Sequence, residues 1–264
     1  MKKTNKYDQL IEALATKFSN IKNFNLLQED DKGKKIWTFI TKRLAEIHSF
    51  KTLFTHYYLP AASKSVVDDL NELKKSKYKH LIKISREELK ENFYDTIRLA
   101  YIGMFHKYEN YVDDLILHAE LLISDLDESG TPLTKYIEQT FQYRVKDWKN
   151  SPTISRLNWI SNCNKHYDGY PLKIPKHSSY FHLADDEKMR FTKEEFMRDI
   201  ELLISHYTYM LQTVFMFAMH KMTYREKIFE IDELTDIELT QKLIDGKKQM
   251  DEQVKKIIEL GTQI

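Results

Sequence analysis

Apolar residues recur at threes and fours along most of this chain. From Ser85 onward, Leu89, Phe93, Ile97, Ala100, Met104, Tyr108, Val112, Leu115, Ala119 and Leu122 place about one apolar side chain on each helical turn, the period of an amphipathic α-helix. No proline interrupts the run and Gly103 is its only soft point, so one helix of roughly 60 Å is predicted at 1.5 Å per residue. Ser85 and Glu88 form a capping box at its start, and "DLDESGTP" ends it. A second long helix follows Thr192 and Glu195, another capping box. Its stripe is Phe196, Ile200, Leu203, Tyr207, Met210, Val214, Phe217 and Ala218. A third box, Thr235 with Glu238, opens a charged C-terminal helix carrying Leu239, Leu243, Met250, Val254, Ile257 and Ile258.

Shorter helices are predicted at Tyr7–Phe18, Ile36–Tyr58 (ending near Pro60), Val66–Lys79, Pro132–Lys146 and about Thr153–His166. No stretch alternates as a strand does. Only six glycines and five prolines occur in 264 residues, too few for a fold built on tight turns. The expected class is all-α, and short breaks between long helices imply an antiparallel helical bundle. The longest irregular segment, "YDGYPLKIPKHSSYFHLADDEKMR", follows the 153–166 helix, and long loops in compact domains are often functional.

Composition narrows the setting. The most apolar stretch, Met210–Met219, is ten residues, shorter than a bilayer span requires. No apolar run follows the basic start "MKKTNKYDQL", so no signal peptide is expected. Cys163 is the only cysteine, which excludes an intrachain disulfide and suits a reducing cytoplasm. The expectation is a cytoplasmic chain with no membrane partner. Net charge is +1, so no global field attracts nucleic acid. The charge is unevenly spread, however. Residues 85–130 carry eleven acidic and four basic side chains, and 131–190 carry six acidic and ten basic. No HExxH, no compact Cys/His set and no glycine-rich phosphate loop occurs, so neither a metal nor a cofactor is expected.

Candidate chemistry collects in "ISNCNKHYDGYP", residues 160–171. Ser155, Trp159, Asn162 and His166 fall on one helix face at about 100° per residue. Asn162 and His166 are i and i+4, so their side chains can meet. An imidazole there could exchange protons near neutral pH. The competing reading is a polar helix end, where a histidine complements the dipole. Lys165 is equally a solvated cation, and Cys163 a small buried apolar residue.

"NCNKHYDGYP" follows a long helix bearing "FHKYENYVDDLI" and precedes "FTKEEFMRDIELLISHYTYMLQ". Together these resemble the HEPN superfamily, all-α proteins that include metal-independent RNases of toxin–antitoxin and phage-defence systems. The resemblance spans roughly Ser85 to His220. It divides the chain into an N-terminal helical extension (1–84), an HEPN-like core (85–224) and a C-terminal helix (225–264). The family pattern is an arginine, four to six residues, then a histidine, often with asparagine directly after the arginine. His166 matches the histidine and Asn162 the asparagine. Ser161, not arginine, precedes Asn162, and the nearest arginine is Arg156. The resemblance implies attack of an RNA 2′-OH on the adjacent phosphate. His166 would act as base or acid, Asn162 would position the phosphate, and a cation drawn from Lys165, Arg156 or Arg144 would stabilise charge. Glu109 would orient His166 or that cation. Sites of this family usually form between protomers, which implies a homodimer. RNA and a cognate antitoxin or other defence protein are the implied partners. The alternative is a non-catalytic helical module for protein interaction or dimerisation.

Overall fold

The computed structural model describes residues 5–19, 31–81, 85–126, 130–142, 144 and 151–221, with single positions 241, 245, 248, 252 and 256. The protein is all-α, and no strand occurs among the described residues. In chain order the helices are α1 (Lys6–Ser19), α2 (Asp31–Thr52), a π-helical turn (Leu53–Tyr58), α3 (Leu59–Lys75), α4 (Arg86–Ser124), α5 (Leu133–Phe141), α6 (Pro152–His166), a 3-10 turn (Ser178–Tyr180) and α7 (Lys193–His220).

Both long helices begin where their capping boxes place them. Ser85 N–H donates to Glu88 Oε2 at 2.6 Å while Glu88 N–H donates to Ser85 Oγ at 3.1 Å. The hydrogen bonds that the Glu88 carboxyl accepts from Ser85, the backbone N–H first, hold it below its usual range. Thr192 and Glu195 repeat the arrangement at 2.7 and 3.1 Å. The third box and the helix read at 235–258 lie outside the described residues, apart from the isolated positions. In α4, Ile97, Ala100, Met104, Tyr108, Val112, Leu115 and Ala119 are buried. All eight stripe residues of α7 are buried too.

Three expectations change. The helix expected to stop near Pro60 instead continues through the π turn into α3. Leu59 N–H reaches back five residues to Phe54 O, and Pro60 falls in the first turn of α3, where a missing N–H costs nothing. α5 ends at Phe141, short of Lys146, because Gln142 turns into the left-handed region at φ 54°. The Met210–Met219 stretch lies within a helix long and apolar enough to cross a membrane by length and composition, but 78% of its apolar window is buried inside the protein. α7 is thus packed as a core helix.

The chain divides into two compact units, each built from separated segments. One comprises Met1–Ile47, Val112–Ser151 and Ser205–Ile264, and the other His48–Tyr111 and Pro152–Ile204. In the first, Trp37 packs edge-on to Phe215 at 5.8 Å and Phe141 lies 5.1 Å from Phe217. Fully buried Lys221 donates to the carbonyls of Ile123 (2.8 Å) and Thr131 (3.3 Å), and the Ile123 carbonyl also accepts from Leu126 N–H at 3.2 Å. In the second, Phe54 contacts Phe50, Tyr58 and Phe196 at 5.2, 5.7 and 6.0 Å. Tyr101 lies 4.6 Å from Phe191 and 5.1 Å from Phe196. This second unit carries α6 and the long loop after it.

Candidate functional site

α6 opens with Pro152 at its first position, where its fixed φ suits helix initiation. Ile154, Leu157, Trp159, Ile160 and Cys163 anchor it in the core. Its end is shaped by two consecutive left-handed residues, Asp168 at φ 51° and Gly169 at φ 85°. Gly169 N–H returns to the Cys163 carbonyl at 3.2 Å. A side chain at 169 would also place its Cβ 2.6 Å from Cδ of Arg98. Conformation and space therefore both demand glycine here.

Arg98, on α4, braces this turn. It is 4% exposed. Its guanidinium donates to Glu91 at 2.6 Å, to Asp95 and to the Met189 carbonyl at 2.9 Å. Met189 N–H in turn donates to the Gly169 carbonyl at 2.9 Å. Burial opposes the charge on Arg98, but the hydrogen bonds and charges of Asp95 and Glu91 outweigh it and raise its pKa. Lys188 pairs with Asp168 at 2.6 Å, a hydrogen bond that raises the lysine's pKa. The two ends of the 167–192 loop are thus tied together beneath the end of α6.

The residues singled out in sequence are placed unevenly around this turn. Lys165 and His166 are adjacent and exposed on the last turn of α6, and neither forms a hydrogen bond or ion pair with a described residue. Asn162 is half-buried, and its amide donates to the Asn158 carbonyl at 2.8 Å. Among the described residues no hydrogen bond joins Asn162 to His166. Glu109 is exposed on α4 and bonds to neither. Arg144 is exposed and belongs to the other unit. Cys163 is fully buried, and burial pushes its thiol pKa up, as a small core residue requires.

Arg156 points inward. Its Nη2 pairs with Asp199 Oδ1, and its Nη1 donates to the Tyr180 hydroxyl at 3.1 Å. Asp199, 4% exposed, also accepts from the Tyr101 hydroxyl through Oδ2 at 2.7 Å. Burial works against the Arg156 charge, and Asp199 more than offsets it, so the arginine's pKa is raised. Burial and the nearby Asp199 charge push the Tyr101 phenol well above its ordinary value. Trp159, on the same helix, is covered by the loop. Its Nε1 donates to the Lys173 carbonyl at 2.9 Å, and Tyr180 stacks on its ring. His177 lies 6.5 Å from that ring, and burial, helped by the Arg156 charge, lowers its pKa.

Sequence reasoning missed Arg98, Asn164, Tyr101, Asp199 and Tyr180. Asp199 carried a legible signal: it stands three residues after Phe196 and beside Ile200 on the apolar stripe, where a carboxylate needs a buried partner. Asn164 is 8% exposed, and neither its amide nitrogen nor its oxygen has a hydrogen-bond partner. Nothing in its position along the helix announced that. Among the described residues no three His, Cys, Asp or Glu side chains stand together as a metal site would need.

No family model, curated protein or solved structure matches this chain.

Proposed function

We propose that this chain is an HEPN-like protein of a bacterial toxin–antitoxin or phage-defence system, working in the cytoplasm and acting on RNA at the exposed end of α6. The observation that carries the reading is the exposure of both His166 and Lys165. They are consecutive on the last turn of α6, solvent-exposed and free of described partners, directly before a turn in which Gly169 packs against Arg98. Catalytic groups work best when the elements beneath them fix their position.

In the reaction this reading requires, the 2′-oxygen of a ribose bonds to the adjacent phosphorus and the P–O5′ bond breaks. His166 takes the 2′-hydroxyl proton, the leaving 5′-oxygen takes one from solvent, and Lys165 neutralises charge on the phosphate. Arg156 does not serve this step as it stands, because Asp199 and Tyr180 hold it. A second copy of the chain would bring a second Lys165–His166 pair and double the local positive charge. The test is cleavage of a panel of single-stranded RNAs by the full chain in the presence of chelator, wild type against His166→Ala.

A second reading has its own observation. Arg156, the arginine nearest the motif in sequence, is held by Asp199, and the Asn162 amide is bonded to its own helix. Both favour a non-catalytic module with a degenerate site, which binds a partner through the same surface. Cleavage in neither protein, with RNA or protein binding intact, is its expected signature.

A further inference from the structure

The loop after α6 places one side chain in an unusual position. The ring of Tyr180 lies on that of Trp159, with centroids 5.1 Å apart and planes 11° apart. Its hydroxyl oxygen accepts from Arg156 Nη1 at 3.1 Å. A flat ring on an aromatic face, with an oxygen at its edge received by a guanidinium, is how proteins hold an unstacked nucleobase.

The receiving groups each have a partner besides Tyr180. Trp159 is anchored through Nε1 to the Lys173 carbonyl. Arg156 is oriented by Asp199, and Asp199 by Tyr101. The loop segment that delivers Tyr180 has little else to hold it down. Ser178, Ser179 and Phe181 are exposed, Phe181 by 66%, and nearby Ile174 is 88% exposed. Lys176, bonded to the Leu183 carbonyl and to Asp185, ties the loop to itself and not to the helix.

We infer that Tyr180 is an internal stand-in for a base, and that Trp159 and Arg156 form a binding site for one nucleobase with an exocyclic carbonyl. Uracil and guanine carry such an oxygen where the tyrosine has its hydroxyl, and adenine does not. The site is entered when residues 178–181 lift, so the resting protein is self-blocked. Lys173, on the same loop, supplies positive charge for the attached phosphate. This inference rests on the RNA reading above but uses a different part of α6 from Lys165 and His166.

The experiment is fluorescence anisotropy with labelled ten-nucleotide U and A RNAs and the full chain as wild type, Tyr180→Ala and Tyr180→Ala/Trp159→Leu. Circular dichroism melts establish that each variant is folded. Tyr180→Ala is expected to bind the U RNA about tenfold more tightly than wild type, the scale of one stacked base. Its gain for the A RNA is expected to be under about threefold, since the carbonyl contact is missing. The second substitution abolishes the gain. Competition by uridine monophosphate distinguishes the source: displacement at concentrations similar to those of the RNA assigns the site to free nucleotides, and displacement only at far higher ones assigns it to a chain. An unchanged affinity in Tyr180→Ala, or equal gains for U and A, overturns the inference. If His166-dependent cleavage persists in that case, the RNA reading survives alone. No RNA binding by any variant removes both.

Discussion

Two ends of one helix hold their charged groups in opposite ways. Near the start of α6, Arg156 is enclosed by Asp199 and Tyr180, and its carboxylate partner is itself engaged by Tyr101. At the end, Lys165 and His166 face solvent with no described partner. The first arrangement fixes geometry, and the second leaves chemistry available. A buried ion pair stabilises little in net terms, but breaking it is expensive because one charge is left stranded. An exposed side chain with no partner contributes almost nothing to stability and can be altered freely. Substitutions at the two ends should therefore separate stability from activity.

The largest effect is expected at Asp199. Asp199→Ala removes the carboxylate partner of the half-buried Arg156 guanidinium and of the fully buried Tyr101 hydroxyl, and should cost about 3 kcal/mol in chemical denaturation. A loss below about 1 kcal/mol would show that the network is not closed. The same network predicts alkaline behaviour. The folded protein keeps the Tyr101 proton to higher pH than the unfolded chain does. That contribution is therefore complete below the ordinary tyrosine value of about 10 and is lost as pH rises beyond it. Tyr101→Phe should unfold with a shallower dependence on pH above that value than wild type, and parallel curves would argue against the Tyr101 shift.

Next in size is the turn that joins the end of α6 to the loop. Gly169→Ala imposes a left-handed conformation on alanine and drives Cβ into Arg98, for an expected loss of about 1–3 kcal/mol. Because Gly169 lies three residues past His166, any activity of His166 should fall with it. Unchanged stability would mean that Arg98 moves aside. Smaller again is Thr192→Ala, which removes the N-cap of α7 and should cost about 1 kcal/mol, read from the shift in denaturation midpoint. His166→Ala should change stability by less than about 0.5 kcal/mol, since nothing described is bonded to it.

How much of this was legible in the sequence depends on the range of the interaction. The stripes of α4 and α7 and their capping boxes are local, and Leu89-to-Leu122 spacing with Ser85 and Glu88 was enough to define them. Pro60 misled because a proline ends a helix it sits within but is welcome in the first turn of another, and the π turn at Leu53–Tyr58 joins the two. The bond between Arg156 and Asp199 spans 43 positions, and that between Arg98 and the Met189 carbonyl spans 91. No periodicity encodes such partners. A carboxylate on an apolar stripe shows only that a partner must exist. The two compact units are likewise assembled from separated segments, which a pass along the chain resolves only as a series of helices. Lys165 is exposed, as a solvated cation should be, but the exposure of His166 was not readable, since a helix end ahead of a long loop can be covered or open.

The measurement that tests the account most directly is RNA cleavage by purified full-length protein in chelator, comparing wild type with His166→Ala after both are shown to melt alike. Cleavage by the wild type is expected, and its loss by about a hundredfold in the variant. Equal cleavage by the two proteins, or none by the wild type across a varied set of RNAs, would contradict it.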